Sequence, residues 1–385
     1  MEHAIGQLLP ADEMFCHQIT ETFANVQQSD PSWTEKVCAM ACAKDGSLQL
    51  GFGLGKYVNR NVMDTYAGVS RGVEQITVRA SRQLAPEPEL TVVGPVRYEV
   101  VEPLQQIRFV LEPNDVQPIA FDWLFQGVVP ARAEDRTHMR TGYRTSADLV
   151  RFHQIGTCSG WVEVDGVRTE MHPDTWVSTR DHSWGVRYGV GLEPTDTQPR
   201  ASHPDMTYHF MWSPILFERP DGSRYGMFLN FGFAGGPGFL HKDVMGGVEH
   251  PDGTFERVLM IDPELAYHPE NRRLEGGAIT LTMHDGLSRR LGVEVVSDTG
   301  FHLGTGLYFG LDGHHHGEWR GELHSDGERF ADCSDPATAR RVHQIRDTVV
   351  RITDPVGGGV GIGNWQPMVT GAFPELGLDA ESSFS

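Results

Sequence analysis

The sequence predicts an all-β fold of mostly antiparallel strands. The dipeptide Asp-Gly recurs at 45–46, 165–166, 221–222, 252–253, 285–286, 312–313 and 326–327, and apolar and polar residues alternate around many of these pairs. Asp-Gly between alternating segments indicates a tight hairpin, because both central residues of that turn need a positive φ. The 44 glycines and 23 prolines, with few amphipathic helical patterns, favour β-sandwiches or barrels.

The length of 385 residues predicts two domains, because a single core usually stops growing below that size. Residues 191–205 are rich in Pro, Thr and Asp and lack periodicity, which indicates a linker. We therefore expect an irregular segment at 1–30, a first β domain at 31–190 and a second at 206–385.

Composition narrows the class of partner. The net charge of −20 argues against nucleic acid, which needs clustered Lys and Arg. The N-terminus lacks a basic and apolar leader, and no apolar run approaches the ~20 residues of a membrane helix. The five scattered cysteines are typical of free thiols in a reducing compartment. We expect a cytoplasmic protein without a transmembrane segment; a homodimer is one possibility.

Three motifs invite functional interpretations that their contexts disfavour. The stretch GFGLGKYVNRN at 51–61 has the wrong spacing for a nucleotide loop, so close-packed strand glycines are the better interpretation. GTCSG at 156–160 matches a cysteine nucleophile elbow, but a strand follows it rather than a helix. His314 and His316 could share a strand face and bind a metal, although exposed turn histidines are commoner.

The stretch TWVSTRDHSWGVR at 175–187 combines charges with two tryptophans and is the strongest candidate site. On a strand, Trp176, Arg180, His182 and Trp184 share one face, and Asp181 lies on the other. Arg and His need partners or water inside an apolar environment, so this face suits a cavity for a large apolar molecule. An ion-paired hairpin end capped by tryptophans is the structural alternative.

Two further aromatic clusters could line such a cavity or fill a core. In AFDWLFQG, Trp123 shares a strand face with two phenylalanines. In MTYHFMWSPILF, Tyr208 and Trp212 alternate with His209 and Met211. Both patterns predict strands with one strongly aromatic face.

The stretch RDHSWGVR, preceded by GWVEVDGVRTEMHPDTWVSTR, resembles the carotenoid 1,2-hydratase (hydroxyneurosporene synthase-like) group, whose wider set includes tocopherol cyclase-like and kievitone hydratase-like proteins. This resemblance implies two lipocalin-like antiparallel β-barrel domains in tandem and an apolar cavity. It also implies acid–base chemistry without an organic cofactor, in which an acid protonates a double bond, aromatic faces stabilise the cation and water captures it.

By position, the family's His-x-Trp element corresponds to His182 and Trp184. Its Tyr-x-Asp element, whose Asp donates the proton, corresponds to Tyr208 and Phe210, so the expected carboxylate is missing. Asp181 could replace it if apolar surroundings raise its pKa, and a protonated His182 is the other candidate.

The sequence therefore predicts an enzyme that hydrates, dehydrates, isomerises or cyclises a lipophilic substrate of isoprenoid, steroid or polyketide type. A carrier of a hydrophobic molecule without catalysis is the alternative, and a metal enzyme using His314 and His316 is a third. The expected catalytic residues are His182, Asp181, Arg180 and Arg187. The expected substrate-binding residues are Trp176, Trp184, Tyr208, Trp212 and Trp123. No metal or other cofactor is predicted.

Overall fold

The computed structural model describes residues 7–198 and 206–384, and its fold is all-β, as the sequence predicts. Along the first half of the chain the strands are β1 (Trp33–Ala43), β2 (Gln49–Tyr57), β3 (Val62–Arg71), β4 (Glu74–Gln83), β5 (Val92–Val93), β6 (Val96–Glu102), β7 (Gln106–Leu111), β8 (Ile119–Gly127), β9 (Arg132–Ala133), β10 (Thr137–Thr141), β11 (Arg144–Val164), β12 (Val167–Met171) and β13 (Trp176–Val186).

Along the second half the elements are β14 (Thr207–Glu218), β15 (Arg224–Gly236), β16 (Phe239–Glu249), β17 (Phe255–Tyr267), β18 (Leu274–Met283), β19 (Ser288–Val295), β20 (Phe301–His302), β21 (Leu323–Phe330), helix α1 (Pro336–Arg341), β22 (Arg346–Asp354) and β23 (Gly359–Thr370). Short 3-10 turns lie at Pro10–Glu13, Val58–Arg60, Leu303–Gly306 and Pro374–Leu376. Within the described ranges, no helix has the length and apolar character needed to cross a membrane.

The first sheet is antiparallel, in the order β21-β4-β3-β2-β1-β13-β11-β8-β7-β6-β5, with β9, β10 and β12 also pairing with β11. It curves so strongly that β5 and β6 contact β3. Its inner face carries an extensive apolar cluster that includes Phe109, Trp123 and Trp176. This core fills the interior of the first sheet with side chains.

The second sheet forms a closed barrel. Its strand order is β19-β18-β17-β16-β15-β14-β23-β22-β20, and an additional pairing of β19 with β22 joins its two ends. Alternate residues of each strand point inward, and Met211, Phe231 and Trp365 belong to the interior cluster. The intervening residues of β14, including Tyr208 and Trp212, therefore lie on the outer face.

Most of the predicted Asp-Gly turns connect neighbouring strands, and Gly46, Gly166, Gly222, Gly253 and Gly286 all have a positive φ. Of the aspartates in these five turns, Asp165 alone also has a positive φ, so the other four are hairpin turns of a different type. The pair at 326–327 is an exception, because it lies inside β21. There Asp326 pairs with Arg79 of β4, so the strand is fixed by its neighbour rather than ended by a turn.

Residues 297–322 form a crossing segment that leaves the second barrel and runs over the outer face of the first sheet. It is held there by hydrogen bonds from Gln75 Nε2 to the carbonyl of His302 (3.0 Å) and from Arg79 Nη1 to the carbonyl of Thr305 (3.0 Å). The chain then continues into β21, which extends the first sheet. A strand from the predicted second domain thus belongs to the first sheet. The predicted linker falls partly on residues 199–205, outside the described residues.

The glycines of GFGLG permit this close crossing. A Cβ on Gly51 would lie 2.5 Å from the ring of Phe301, and one on Gly68 would lie 2.8 Å from the same ring. Phe301 is fully buried against this part of the sheet. The interpretation of the GFGLG stretch as close-packed strand glycines is therefore confirmed.

The two sheets pack through their outer faces. A small apolar cluster joins Met40 and Ile155 of the first sheet to Leu216 and Ile362 of the second. Strand β13 contacts both β14 and β23 at this interface. Beside this cluster the sheets separate and leave an open space between them.

Candidate active site at the interface of the two sheets

A cavity of about 490 Å³ lies between the outer faces of the two sheets, with the crossing segment as a third wall. This volume is within the ~300–1,000 Å³ range typical of small-molecule sites, which often form between domains. Its polar lining includes Cys38, Glu134, Arg151, Asp181, Arg187, Tyr308, His316, Asp347, Asn364 and Gln366. Aromatic and apolar lining comes from Leu149, Tyr188, Tyr208, Phe210, Trp212, Met245, Leu303, Phe309, Ile345 and Met368.

Strand alternation decides which residues of β13 reach the cavity. Asp181 is paired in register with Cys38 of β1 and His153 of β11, and all three lie on the outer face of the first sheet. Thr179 precedes Asp181 on that face, and both line the cavity. The intervening residues, Arg180 and His182, point to the inner side.

Asp181 is a buried carboxylic acid at the cavity wall. Its Oδ2 lies 3.1 Å from Arg151 Nε, whereas its Oδ1 is buried and has no hydrogen-bond partner among the described residues. Burial raises the pKa of Asp181 above its ordinary value, although Arg151 and Arg187 act in the opposite direction. The group thus combines an elevated pKa with an oxygen that is free to bind a ligand.

Asp347 provides a second buried carboxyl from the opposite sheet. Its Oδ1 accepts hydrogen bonds from Asn364 Nδ2 (2.8 Å) and Gln366 Nε2 (2.9 Å). Burial raises the pKa of Asp347 to about 6, outweighing these two hydrogen bonds, and the negative charge of Asp181 adds to the rise. The cavity therefore contains two carboxyl groups with raised pKa values.

A chain of alternating charges leads from Asp181 into the interface. Arg151 Nη1 lies 3.8 Å from Glu134 Oε2, Glu134 Oε1 lies 3.2 Å from His153 Nδ1, and His153 Nε2 lies 2.8 Å from Glu249 Oε1. Burial opposes the charge of His153, but its hydrogen bonds to the two glutamates raise its pKa to about 9. The imidazolium links β11 of the first sheet to β16 of the second.

Aromatic side chains of β14 form the opposite wall. The rings of Tyr208 and Phe210 are stacked with centroids 6.0 Å apart, and Trp212 Nε1 donates a hydrogen bond of 3.0 Å to Glu134 Oε1. Phe210, at the position where the resemblance to the carotenoid 1,2-hydratase group predicts an aspartate, is part of this wall. The electron-rich faces of such rings suit an apolar ligand or a transient positive charge.

The crossing segment contributes polar groups next to Cys38. Tyr308 Oη lies 3.0 Å from Cys38 Sγ, and the rings of Tyr308 and His316 are stacked at 5.2 Å. His316 Nδ1 is 2.8 Å from Tyr57 Oη and 3.3 Å from Lys36 Nζ. These contacts anchor the segment at the cavity wall.

The structure brings together Asp181, Arg187, Tyr208 and Trp212, but it places His182 and Trp184 elsewhere. His182 Nε2 lies 2.9 Å from Glu35 Oε1 at a half-buried position, and Trp184 is 42% exposed. These two side chains lie on the face of β13 opposite to Asp181 and are not among the residues that line this cavity. A functional role for them stays a prediction.

The remaining sequence candidates are also on the inner side of the first sheet. Trp123 and Trp176 pack in its apolar core, so they correspond to the core-packing alternative. Arg180 borders the cavity as the neighbour of Asp181 along β13. Its side chain points to the inner side, where Nε donates a 3.0 Å hydrogen bond to Gln154 Oε1. Its guanidinium lies 5.4 Å from the ring of Phe125, away from the two carboxyls.

The histidines of LDGHHHGEW do not converge on one point. His314 Nδ1 lies 3.0 Å from Glu318 Oε2, whereas His316 is buried against Tyr57 and Lys36. Across residues 7–198 and 206–384, no group of three or more His, Cys, Asp or Glu side chains is arranged to hold a metal ion. Cys158 of GTCSG lies within β11, buried in the first core.

Sequence reasoning missed Glu134, Arg151, His153 and Asp347. Arg151 and His153 alternate with apolar residues along β11, which predicts a strand but not that its polar face is buried. Asp347 lies at the start of β22, directly before a run of apolar residues. This placement is the one local signal in the sequence that its carboxyl is buried. What makes these residues a site is the contact between the sheets, which no local pattern encodes.

The fold and the cavity define a class of all-β protein in which two curved antiparallel sheets enclose a ligand-sized space. Over residues 8–377 the chain matches the model of a family of unknown function (DUF8625), and it belongs to that family. A relationship to the carotenoid 1,2-hydratase group stays a prediction. The chain has no match among curated proteins.

Several solved structures are similar over most of their length. A putative AttH from Nitrosomonas europaea has a TM-score of 0.49 at 11% identity, covering 87% of this chain and 92% of that one. Kievitone hydratase from Nectria haematococca has a TM-score of 0.42 at 11% identity, covering 90% and 91%. CghA bound to Sch210972 has a TM-score of 0.46 at 9% identity, covering 88% of each chain.

Proposed function

We propose that the protein is an acid–base enzyme acting on a lipophilic small molecule in the cavity between its two sheets. The reaction class is hydration or dehydration, isomerisation or cyclisation, and it needs no organic cofactor. One observation carries the proposal: Asp181 and Asp347, two buried carboxyls with raised pKa values, face the same aromatic cavity from opposite sheets. Raised pKa values in a cleft are typical of groups that exchange protons near neutral pH.

In the hydration direction, one carboxyl in its acid form gives its proton to a carbon of the substrate's double bond. The π electrons form the new C–H bond, which leaves a carbocation on the substrate and a carboxylate on the protein. Water then adds to the cation, and the proton it loses returns to a carboxylate, so the protein ends unchanged. Dehydration is the reverse, and isomerisation follows if the cation loses a different proton.

The aromatic wall serves the same chemistry. A cation over an aromatic face is stabilised by about 0.5–2 kcal/mol per contact. Tyr208, Phe210 and Trp212 belong to β14 of the second sheet. They line the cavity on the side opposite the first sheet, which carries Asp181. They would both hold the apolar body of the substrate and stabilise the charge that develops on it.

Solvent-isotope incorporation tests the proposal and does not require that the substrate be identified first. The purified protein is incubated in D₂O with a lipid extract of the cells that produce it, and the products are followed by mass spectrometry. We expect an enzyme-dependent product that gains deuterium, with Asp181→Asn reducing the yield at least ~100-fold. Asp122→Asn is the matched control, because Asp122 is a half-buried acid of the first sheet paired with Arg108, outside the cavity.

Native mass spectrometry of protein purified from its own host identifies the molecule that the cavity holds. A co-purifying lipid that Asp181→Asn still binds but no longer converts supports the enzyme. A lipid that is bound by every variant and never changed, with no deuterium incorporated, contradicts catalysis and indicates a carrier instead.

A further inference from the structure

Arg187 is a cation of the cavity wall with unused hydrogen-bonding capacity. It follows β13 on the outer face and turns back along the strand, so that its Nη2 donates to Ser183 Oγ. Its Nε is buried and has no hydrogen-bond partner in the described ranges. A buried guanidinium N–H without a partner is costly and indicates that a ligand atom completes the site.

Lys36 adds a second positive charge behind Arg187. Its side chain is 2% exposed, and its Nζ lies 4.1 Å from the centroid of the Tyr308 ring. Burial lowers the pKa of Lys36, and the positive charge of Arg187 contributes in the same direction. The two side chains lie in the same region of the interface, because Lys36 is paired in register with Ser183, to whose Oγ Arg187 Nη2 donates.

Within the described ranges, neither Arg187 nor Lys36 is in a direct ion pair with a carboxylate. Of the acids that act on Lys36 electrostatically, Asp181 is paired with Arg151, whereas Asp64 is paired with no arginine among the described residues and partly balances the charge of Lys36. Arg187 is therefore the cation that a ligand anion would meet.

We propose that the ligand of this cavity carries a carboxylate or equivalent oxyanion on its apolar body, and that Arg187 binds this group with Lys36 behind it. The inference rests on the proposed function, since it names the substrate class of the same site. An organic acid satisfies Arg187 Nε and places a negative charge beside the guanidinium. The aromatic wall at Tyr208 and Trp212 then accommodates the hydrocarbon.

A pair of probes that differ only in their polar end tests this inference. Retinoic acid and retinol share one hydrocarbon body, and the binding of each is followed by quenching of tryptophan fluorescence, because Trp212 lines the cavity. We expect the wild-type protein to bind retinoic acid roughly 10- to 100-fold more tightly than retinol, the value of a charge-assisted hydrogen bond.

Arg187→Gln should abolish this preference while leaving retinol affinity within about twofold of wild type, which also shows that the variant is folded. Arg187→Lys should restore part of the preference, because it returns the charge without the forked geometry. Arg168→Gln is the control, since Arg168 is an exposed arginine of β12 paired with Glu170. It should keep the full preference.

The outcomes separate the inference from the function on which it rests. Equal binding of both probes by the wild-type protein, or a preference that survives Arg187→Gln, overturns the oxyanion subsite and leaves the apolar site intact. Failure of the wild-type protein to bind either probe contradicts the lipophilic site itself, and the inference with it.

Discussion

Arg151 Nε lies 3.1 Å from Asp181 Oδ2, and this contact ties an acid of the cavity wall to a buried ionic network. Arg151 also approaches Glu134, which pairs with His153, which in turn pairs with Glu249 of the second sheet. The position and the pKa of Asp181 therefore depend on residues that join the two sheets.

The first prediction concerns the removal of Arg151. Arg151→Gln should raise the pKa of Asp181 further, because the nearby positive charge opposes the effect of burial. The pH profile of deuterium incorporation should then shift to higher pH, whereas a purely structural role would lower the rate at every pH alike. The variant should also lose about 3–5 kcal/mol of unfolding free energy, as expected when one partner of a buried pair is removed.

Arg351→Gln provides the comparison for stability. Arg351 pairs with Glu294 at the protein surface, where an ion pair contributes about 0–1 kcal/mol. Equal destabilisation by the two substitutions in urea titrations would contradict the importance assigned to the buried network.

The second prediction is a loss of stability in alkali. The pKa of His153 is about 9 in the folded protein and near 6.5 in an unfolded chain, so the folded state binds its proton more tightly. The resulting stabilisation is complete below about pH 6.5 and is lost as the pH rises through 9. It is on the order of 3 kcal/mol.

Urea unfolding at a series of pH values measures this dependence. In His153→Gln the decline between about pH 6.5 and 9 should disappear. The control is His209→Gln, because burial in the second barrel lowers the pKa of His209 to about 4 and its proton linkage falls below pH 6.5. A decline that persists unchanged in His153→Gln would assign the alkaline transition to another group.

The third prediction concerns the close crossing over the first sheet. A methyl group at Gly51 would lie 2.5 Å from the fully buried ring of Phe301, so Gly51→Ala should cost about 1–3 kcal/mol through overpacking. Gly292→Ala is the matched substitution, because its Cβ would meet Thr353 at an ordinary 3.9 Å. Thermal unfolding should separate the two, and an unaffected Gly51→Ala would mean that Phe301 does not pack there in solution.

The fourth prediction identifies the tryptophan that senses ligand. Trp212 lines the cavity, whereas Trp184 lies on the opposite face of β13 and is 42% exposed. Retinol should quench the wild-type protein and Trp184→Phe to a similar extent, and Trp212→Phe should lose most of the quenching. The reverse result would restore the site that the sequence alone suggests around His182 and Trp184.

The sequence predicts the fold well because hairpins are local. Asp-Gly turns and alternating strands reveal themselves within about ten residues, as at 165–166 and 221–222, and the structure confirms both. It predicts the site only in part. Composition points to Asp181 and Arg187, but the direction in which β13 faces depends on what packs on each side. The pairing of Asp181 with Arg151 depends on the register of β13 against β11, and the approach of Asp347 requires the contact between the two sheets. No short motif points to either.

A crystal structure of the protein with bound retinol tests the central claim most directly. We expect density for the polyene between the two sheets, in contact with Tyr208 and Trp212 and with its hydroxyl near Asp181 or Asp347. Density in the core of the first sheet near Trp123 and Trp176, or against the solvent-exposed ring of Trp184 beside His182, would contradict a site at the interface.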